Sequence, residues 1–115
     1  MQLQDPSLLC QQAFVAGGWI AADSWATVTI RNPATGDPLA TVPDMGAAET
    51  RRAIEAADAA WPAWRALTAK QRGTILRKWH DLIVAHADDL ALLMTSEQGK
   101  PLAEARGEAM YAASF

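Results

Sequence analysis

The chain has 115 residues, half of them hydrophobic and a fifth charged, with a formal net charge of −3, a balance within the range of one soluble globular domain. That charge leaves no basic excess to neutralise a phosphate backbone, so no nucleic-acid partner is expected. The single cysteine, Cys10, excludes an intrachain disulfide or thiolate cluster and fits a reducing cytoplasm; the N-terminus lacks a basic, apolar secretion signal, and no stretch approaches the roughly 18 apolar residues of a membrane span, so no membrane partner is expected either.

The first part of the chain, to about residue 45, is punctuated by turn formers. Phe14-Val15-Ala16 and Trp19-Ile20 flank Gly17-Gly18, a pair suited to the positive φ angles of a tight hairpin turn. Thr27-Val28-Thr29-Ile30 alternates polar and apolar side chains. Asn32-Pro33-Ala34-Thr35-Gly36-Asp37-Pro38 then supplies dense turn chemistry ahead of Leu39-Ala40-Thr41-Val42, which predicts a second hairpin.

From Gly46 the period becomes helical. Ile54, Ala57, Trp61 and Trp64 form a seam at spacings of three and four, but Pro62 lacks the backbone donor a helix interior requires. The first helix is therefore expected to end near Ala60, with Pro62 starting a short new turn. Thr68 and Gln71 have capping-box spacing ahead of a helix from about 69 to 85, whose buried stripe would be Ile75, Leu76, Trp79, Leu82 and Ile83. Asp88 and Asp89 suit the positive end of a third helix with Leu90, Leu93 and Met94 on its apolar face, closed by Gly99 in the left-handed region. Pro101 opens a last helix with Leu102, Ala105, Ala109 and Ala112 facing inward. No glycine, proline or polar cap stops it before Phe115, so it is expected to run on past that residue.

Chemistry is sparse. Cys10 has no histidine or basic neighbour to stabilise a thiolate, so it reads as inert. His80 and His86 are six residues apart, which does not put two metal ligands on one helical face. Glu104 and Glu108 lie one turn apart and read as a solvated face rather than an acid/base pair. The glycines are scattered, with no phosphate-cradling motif, and Gly99-Lys100 reads as a helix end. Trp61, Trp64 and Trp79 follow helical seams and read as core rather than as stacking platforms.

Three stretches, Asn32-Pro33-Ala34-Thr35-Gly36, Gly46 to Ala57, and Trp64-Arg65-Ala66-Leu67-Thr68-Ala69-Lys70, resemble the start of the aldehyde dehydrogenase superfamily in order and spacing. The likeness continues through Ile75 to Trp79 and Asp88-Asp89-Leu90-Ala91, from about Gln11 to the end of the chain. Glu97-Gln98-Gly99-Lys100-Pro101-Leu102-Ala103-Glu104-Ala105 with Tyr111-Ala112-Ala113-Ser114-Phe115 is most similar to its succinate- and glutarate-semialdehyde branch. Ser96 and Trp25 depart from the pattern, where leucine and a small or polar residue are commoner.

The resemblance implies an α/β parent fold with a Rossmann-type cofactor domain, of which residues 1–115 would be the N-terminal part: strands and turns over about 12–45, then about four helices over about 46–115. It implies NAD or NADP as cofactor and oxidation of succinate semialdehyde to succinate through a cysteine thioester, with glutarate semialdehyde or a betaine-type aldehyde as alternative substrates. The partners implied are the small aldehyde, the rest of a longer chain and further copies of it in a dimer or tetramer. The family's nucleophile, oxyanion donors, water-activating glutamate, phosphate loop and pairing strand have no counterpart here, so no catalytic, cofactor-binding or metal residue is assigned. By the match at Glu108, Gly107 and Tyr111 would face the substrate entrance, and an acidic residue at the Glu97 position would contribute to a structural cation site. The rival expectation is a free-standing helical module whose tryptophan-rich seams bind a partner.

Overall fold

The computed structural model describes residues 1–115. After a 3-10 turn at Pro6–Leu8 come two antiparallel hairpins, β1 (Ala13–Val15) with β2 (Gly18–Ile20), and β3 (Thr27–Arg31) with β4 (Pro38–Pro43). Four helices follow: α1 (Ala47–Ala66), α2 (Ala69–Ala85), α3 (Ala87–Gln98) and α4 (Leu102–Ala113).

The first hairpin turns one residue earlier than expected. Ala16 and Gly17, at φ 52° and 82°, are its two turn residues, and Gly18 opens β2 opposite Val15. Two consecutive positive φ angles mark the turn whose twist matches that of the flanking strands. The register sets the choice, because it pairs Phe14 with Trp19 and brings their rings to 5.1 Å; a slip would separate the two aromatics. In the second hairpin Asn32 closes the turn three ways. Its N–H donates to Asp37 O (2.9 Å), its carbonyl accepts from Gly36 N (2.7 Å) and its side-chain Oδ1 accepts from Ala34 N (2.9 Å).

α1 does not stop at Ala60. It runs through Pro62 to Ala66. The proline removes the bond that Asp58 O would accept, but Asp58 and Pro62 are both exposed, and a carbonyl open to solvent does not carry the cost of a buried unpaired one. The alanine-rich flanks hold the helical conformation on both sides. Thr68 and Gln71 form the expected capping box on α2, with Thr68 Oγ1 accepting from Gln71 N and Gln71 Oε1 accepting from Thr68 N. Gly99 closes α3 at φ 76°. That position needs glycine twice over, since a Cβ there would also come within 3.2 Å of Pro33 Cγ.

Only 9 of the 115 residues are buried, and the apolar ones are all alanines. They concentrate where α3 and α4 pack, at Ala87, Ala91, Ala105, Ala109 and Ala113. Ala105 and Ala109 face inward as expected, but Ala113 replaces Ala112, and Leu102 is exposed. The stripe on α2 is not the buried face it was expected to be: Trp79 is 63% exposed, and Ile75, Leu76 and Leu82 are about half exposed. The seam of α1 is open too, with Ile54 and Trp61 exposed and α1 making no extended contact with another element. The helical period is correct in both; a surface that would cover the apolar face is what these 115 residues do not supply. The radius of gyration, 16.5 Å, exceeds the roughly 13 Å expected of a compact chain of this length. No helix is long and apolar enough to cross a membrane.

Candidate functional site

α4 carries the residues expected at a substrate entrance. Gly107 and Tyr111 are one turn apart, hence neighbours on one face, and both are exposed. Gly107 leaves open space beside the helix, and the Tyr111 ring stands edge-on to Phe115 with centroids 4.8 Å apart. Glu108 ion-pairs with Lys100 at the start of the helix. The hydrogen bond to Glu108, followed by the nearby charges of Glu108 and Glu104, holds the Lys100 ammonium above its ordinary pKa. The Glu104/Glu108 face is therefore solvated and partly neutralised by lysine.

α2 and the end of α4 border an open groove of about 520 Å³, lined by Leu76, Trp79, Ile83, Ala113 and Phe115 together with Arg77 and His80. His80 Nδ1 lies 2.8 Å from Ala113 O and ties the two helices together. It bridges α2 and the end of α4. No three His, Cys, Asp or Glu side chains are grouped to hold a metal ion, and Glu97 is an exposed residue at the end of α3. Cys10 is exposed, its Sγ 3.4 Å from Ser7 O, with no base within hydrogen-bonding reach.

Both sheets are two-stranded antiparallel hairpins, so the chain has no parallel strand-to-helix crossover, which is where a glycine-rich loop presents its amides to a pyrophosphate. The positive-φ glycines, Gly17, Gly36 and Gly99, serve two hairpin turns and a helix end.

Two buried polar residues, Glu49 and Asp89, clamp segments together, a part sequence reasoning did not give them. Glu49, buried in the first turn of α1, accepts from Asp23 N with Oε1 and from Gly46 N with Oε2, each at 3.0 Å. Hydrogen bonds from backbone amides, its own and those of Asp23 and Gly46, outweigh desolvation and hold its carboxyl below the usual pKa. Its position three residues after Gly46 was the available signal. Asp89, also buried, accepts from Gln4 N and Asp5 N, one per carboxylate oxygen and each at 2.9 Å. Sequence showed only that it suited a helix N-terminus, since a contact 84 and 85 residues distant leaves no local pattern.

Residues 19–115 match the model of the aldehyde dehydrogenase family. The chain is 64% identical over its whole length to a glutarate-semialdehyde dehydrogenase of Pseudomonas aeruginosa and 60% identical to a succinate-semialdehyde dehydrogenase (NADP(+)) of Escherichia coli. It spans 24% of the length of each. A succinate-semialdehyde dehydrogenase structure from Burkholderia pseudomallei superposes with a TM-score of 0.95 at 63% identity, over 99% of this chain and 24% of that one.

Proposed function

The chain belongs to the aldehyde dehydrogenase family, and from that premise we propose that it is the N-terminal scaffold of the cofactor-binding domain of a semialdehyde dehydrogenase, a longer protein that oxidises succinate semialdehyde to succinate with NAD or NADP. The observation that carries this reading is that all 115 residues align at 60% identity or more with semialdehyde dehydrogenases. Glutarate semialdehyde is the second substrate, favoured by the 64% identity to the Pseudomonas aeruginosa relative. The longer protein acts in the cytoplasm as a homo-oligomer.

Within it, this segment's residues position and cover. The open stripes of α1 and α2 meet the remainder of the longer chain, which accounts for apolar faces that their own helices leave exposed. Gly107 and Tyr111 line the approach to the substrate, where the missing side chain at Gly107 leaves room and the Tyr111 ring supplies an apolar wall with a polar tip. No chemical step is assigned to the segment, because it has no nucleophile beside a base and no convergent set of oxyanion donors.

The test has two arms. The 115-residue chain, titrated by calorimetry with NAD and NADP and assayed with succinate semialdehyde, is expected to bind neither cofactor in the micromolar range and to reduce none. A longer protein carrying this sequence is expected to reduce cofactor with succinate or glutarate semialdehyde. Cofactor reduction by the short chain would refute the scaffold role, and inactivity of the longer protein with both semialdehydes would refute the substrate class.

A further inference from the structure

The extended contacts run strand to strand or helix to helix, and individual side-chain hydrogen bonds tie the N-terminal segment to the helices. One route begins at Asp89 in the first turn of α3, whose two carboxylate oxygens take the successive amides of Gln4 and Asp5. Asp5 then caps the 3-10 turn, its Oδ1 accepting from Ser7 N (3.0 Å) and Ser7 Oγ (2.6 Å). The route ends at Gln11, whose Oε1 accepts from Thr41 N on β4 at 3.0 Å. At the far end of α3, Gly99 abuts Pro33 in the β3–β4 turn. The β3–β4 hairpin therefore grips α3 at both ends, directly at its C-terminus and through residues 4–11 at its N-terminus.

We propose that residues 4–11 form a detachable strap, latched on Asp89 at one end and on Thr41 at the other, which couples the β3–β4 hairpin to α3 and opens as a unit without unfolding the helices. The chemistry fits a latch. Asp89 is 5% exposed and receives both strap bonds as one charged acceptor, so the end closes or opens as a pair. The strap itself has no buried residue, so few packed contacts oppose opening once the amides leave. α3 keeps its own packing through Ala87 and Ala91 against α4.

The experiment follows amide hydrogen exchange in a longer protein carrying this sequence, comparing the parent with Gln4→Pro and Asp89→Ala. Gln4→Pro deletes one latch donor while leaving every α3 side chain in place. It is expected to speed exchange at Asp5 and Thr41 at least tenfold and to leave amides within α3 and α4 within about twofold. Asp89→Ala should reproduce the same strap pattern. Unchanged exchange at Asp5 or Thr41 in Gln4→Pro would overturn the latch. Acceleration of α3 and α4 to the same degree as the strap in Gln4→Pro would overturn its detachability. If Asp89→Ala fails to fold, the Gln4→Pro result alone decides between these outcomes.

Discussion

The α3–α4 seam and the α2 stripe are both apolar and both helical in period, yet one is closed and the other open. α3 and α4 meet through alanines, with Ala105 at 0% exposure, because small side chains let two helices approach until backbone and Cβ atoms pack without gaps. α2 presents Ile75, Leu76, Trp79 and Leu82, a far larger apolar area, to solvent. The difference separates what a sequence period encodes from what burial requires. Period gives the direction a residue faces; burial also needs a surface opposite, and bulky residues need a larger one than alanines do.

The strongest test changes the surface opposite α2. Trp79→Ala is expected to cost below about 1 kcal/mol in the 115-residue chain, where the ring is mostly in water, and roughly 3–5 kcal/mol in a longer protein that covers it. Urea midpoints of both lengths would show this, and equal losses in the two would break the comparison. At the closed seam the reverse change applies. Ala105→Leu adds volume where none is free and should destabilise by about 1–3 kcal/mol, read as a lower urea midpoint of helical circular dichroism. A neutral result would mean that the seam is loose.

How much could be read beforehand follows the same division. The capping box Thr68–Gln71, the left-handed Gly99 and the bounds of α2 are local, fixed by residues within a turn of one another, and the sequence signals located them. The register of β1–β2 was one residue off, since glycine content marks a turn but cross-strand pairing of Phe14 with Trp19 places it. The end of α1 was misjudged because the cost of Pro62 depends on whether Asp58 O is buried, which a local motif does not contain. Glu49 and Asp89 were missed as clamps because their partners, Asp23, Gln4 and Asp5, are 26 to 85 residues away. On α4, Gly107 and Tyr111 share one exposed face in the structure, but both were named through the family match at Glu108, and their part at an entrance rests on that likeness alone.

A local feature should also behave locally, which makes the α2 cap a third test. Thr68→Ala removes the acceptor for Gln71 N and should cost about 1 kcal/mol. Unlike Trp79→Ala, it should cost the same in the short chain and in the longer protein, because its partner lies three residues away in both. A cap loss that grew with chain length, measured by the same urea midpoints, would show that the open end of α2 is not autonomous.

The smallest expected effect concerns the clamp that holds the segment before β3 to α1. Glu49 has its carboxyl pKa below the ordinary 4.5 because backbone amides donate to it. Folding therefore favours the ionised form, and that contribution is fully present above about pH 4.5. It is lost as the pH falls through the lower value in the folded chain, where proton uptake competes with the amide donors. Glu49→Gln keeps the side chain's length but replaces one acceptor oxygen with an NH₂ group that cannot receive an amide, and it no longer titrates. The parent and variant should therefore differ most at neutral pH, with the gap in urea midpoint narrowing on acidification below pH 4.5 as the parent alone loses its clamp. A gap that stayed constant from pH 7 to strongly acid solution would mean that Glu49 acts by filling space. The clamp would then belong with the alanine seam, held by packing, rather than with the charge-assisted contacts that mount the hairpins on the helices.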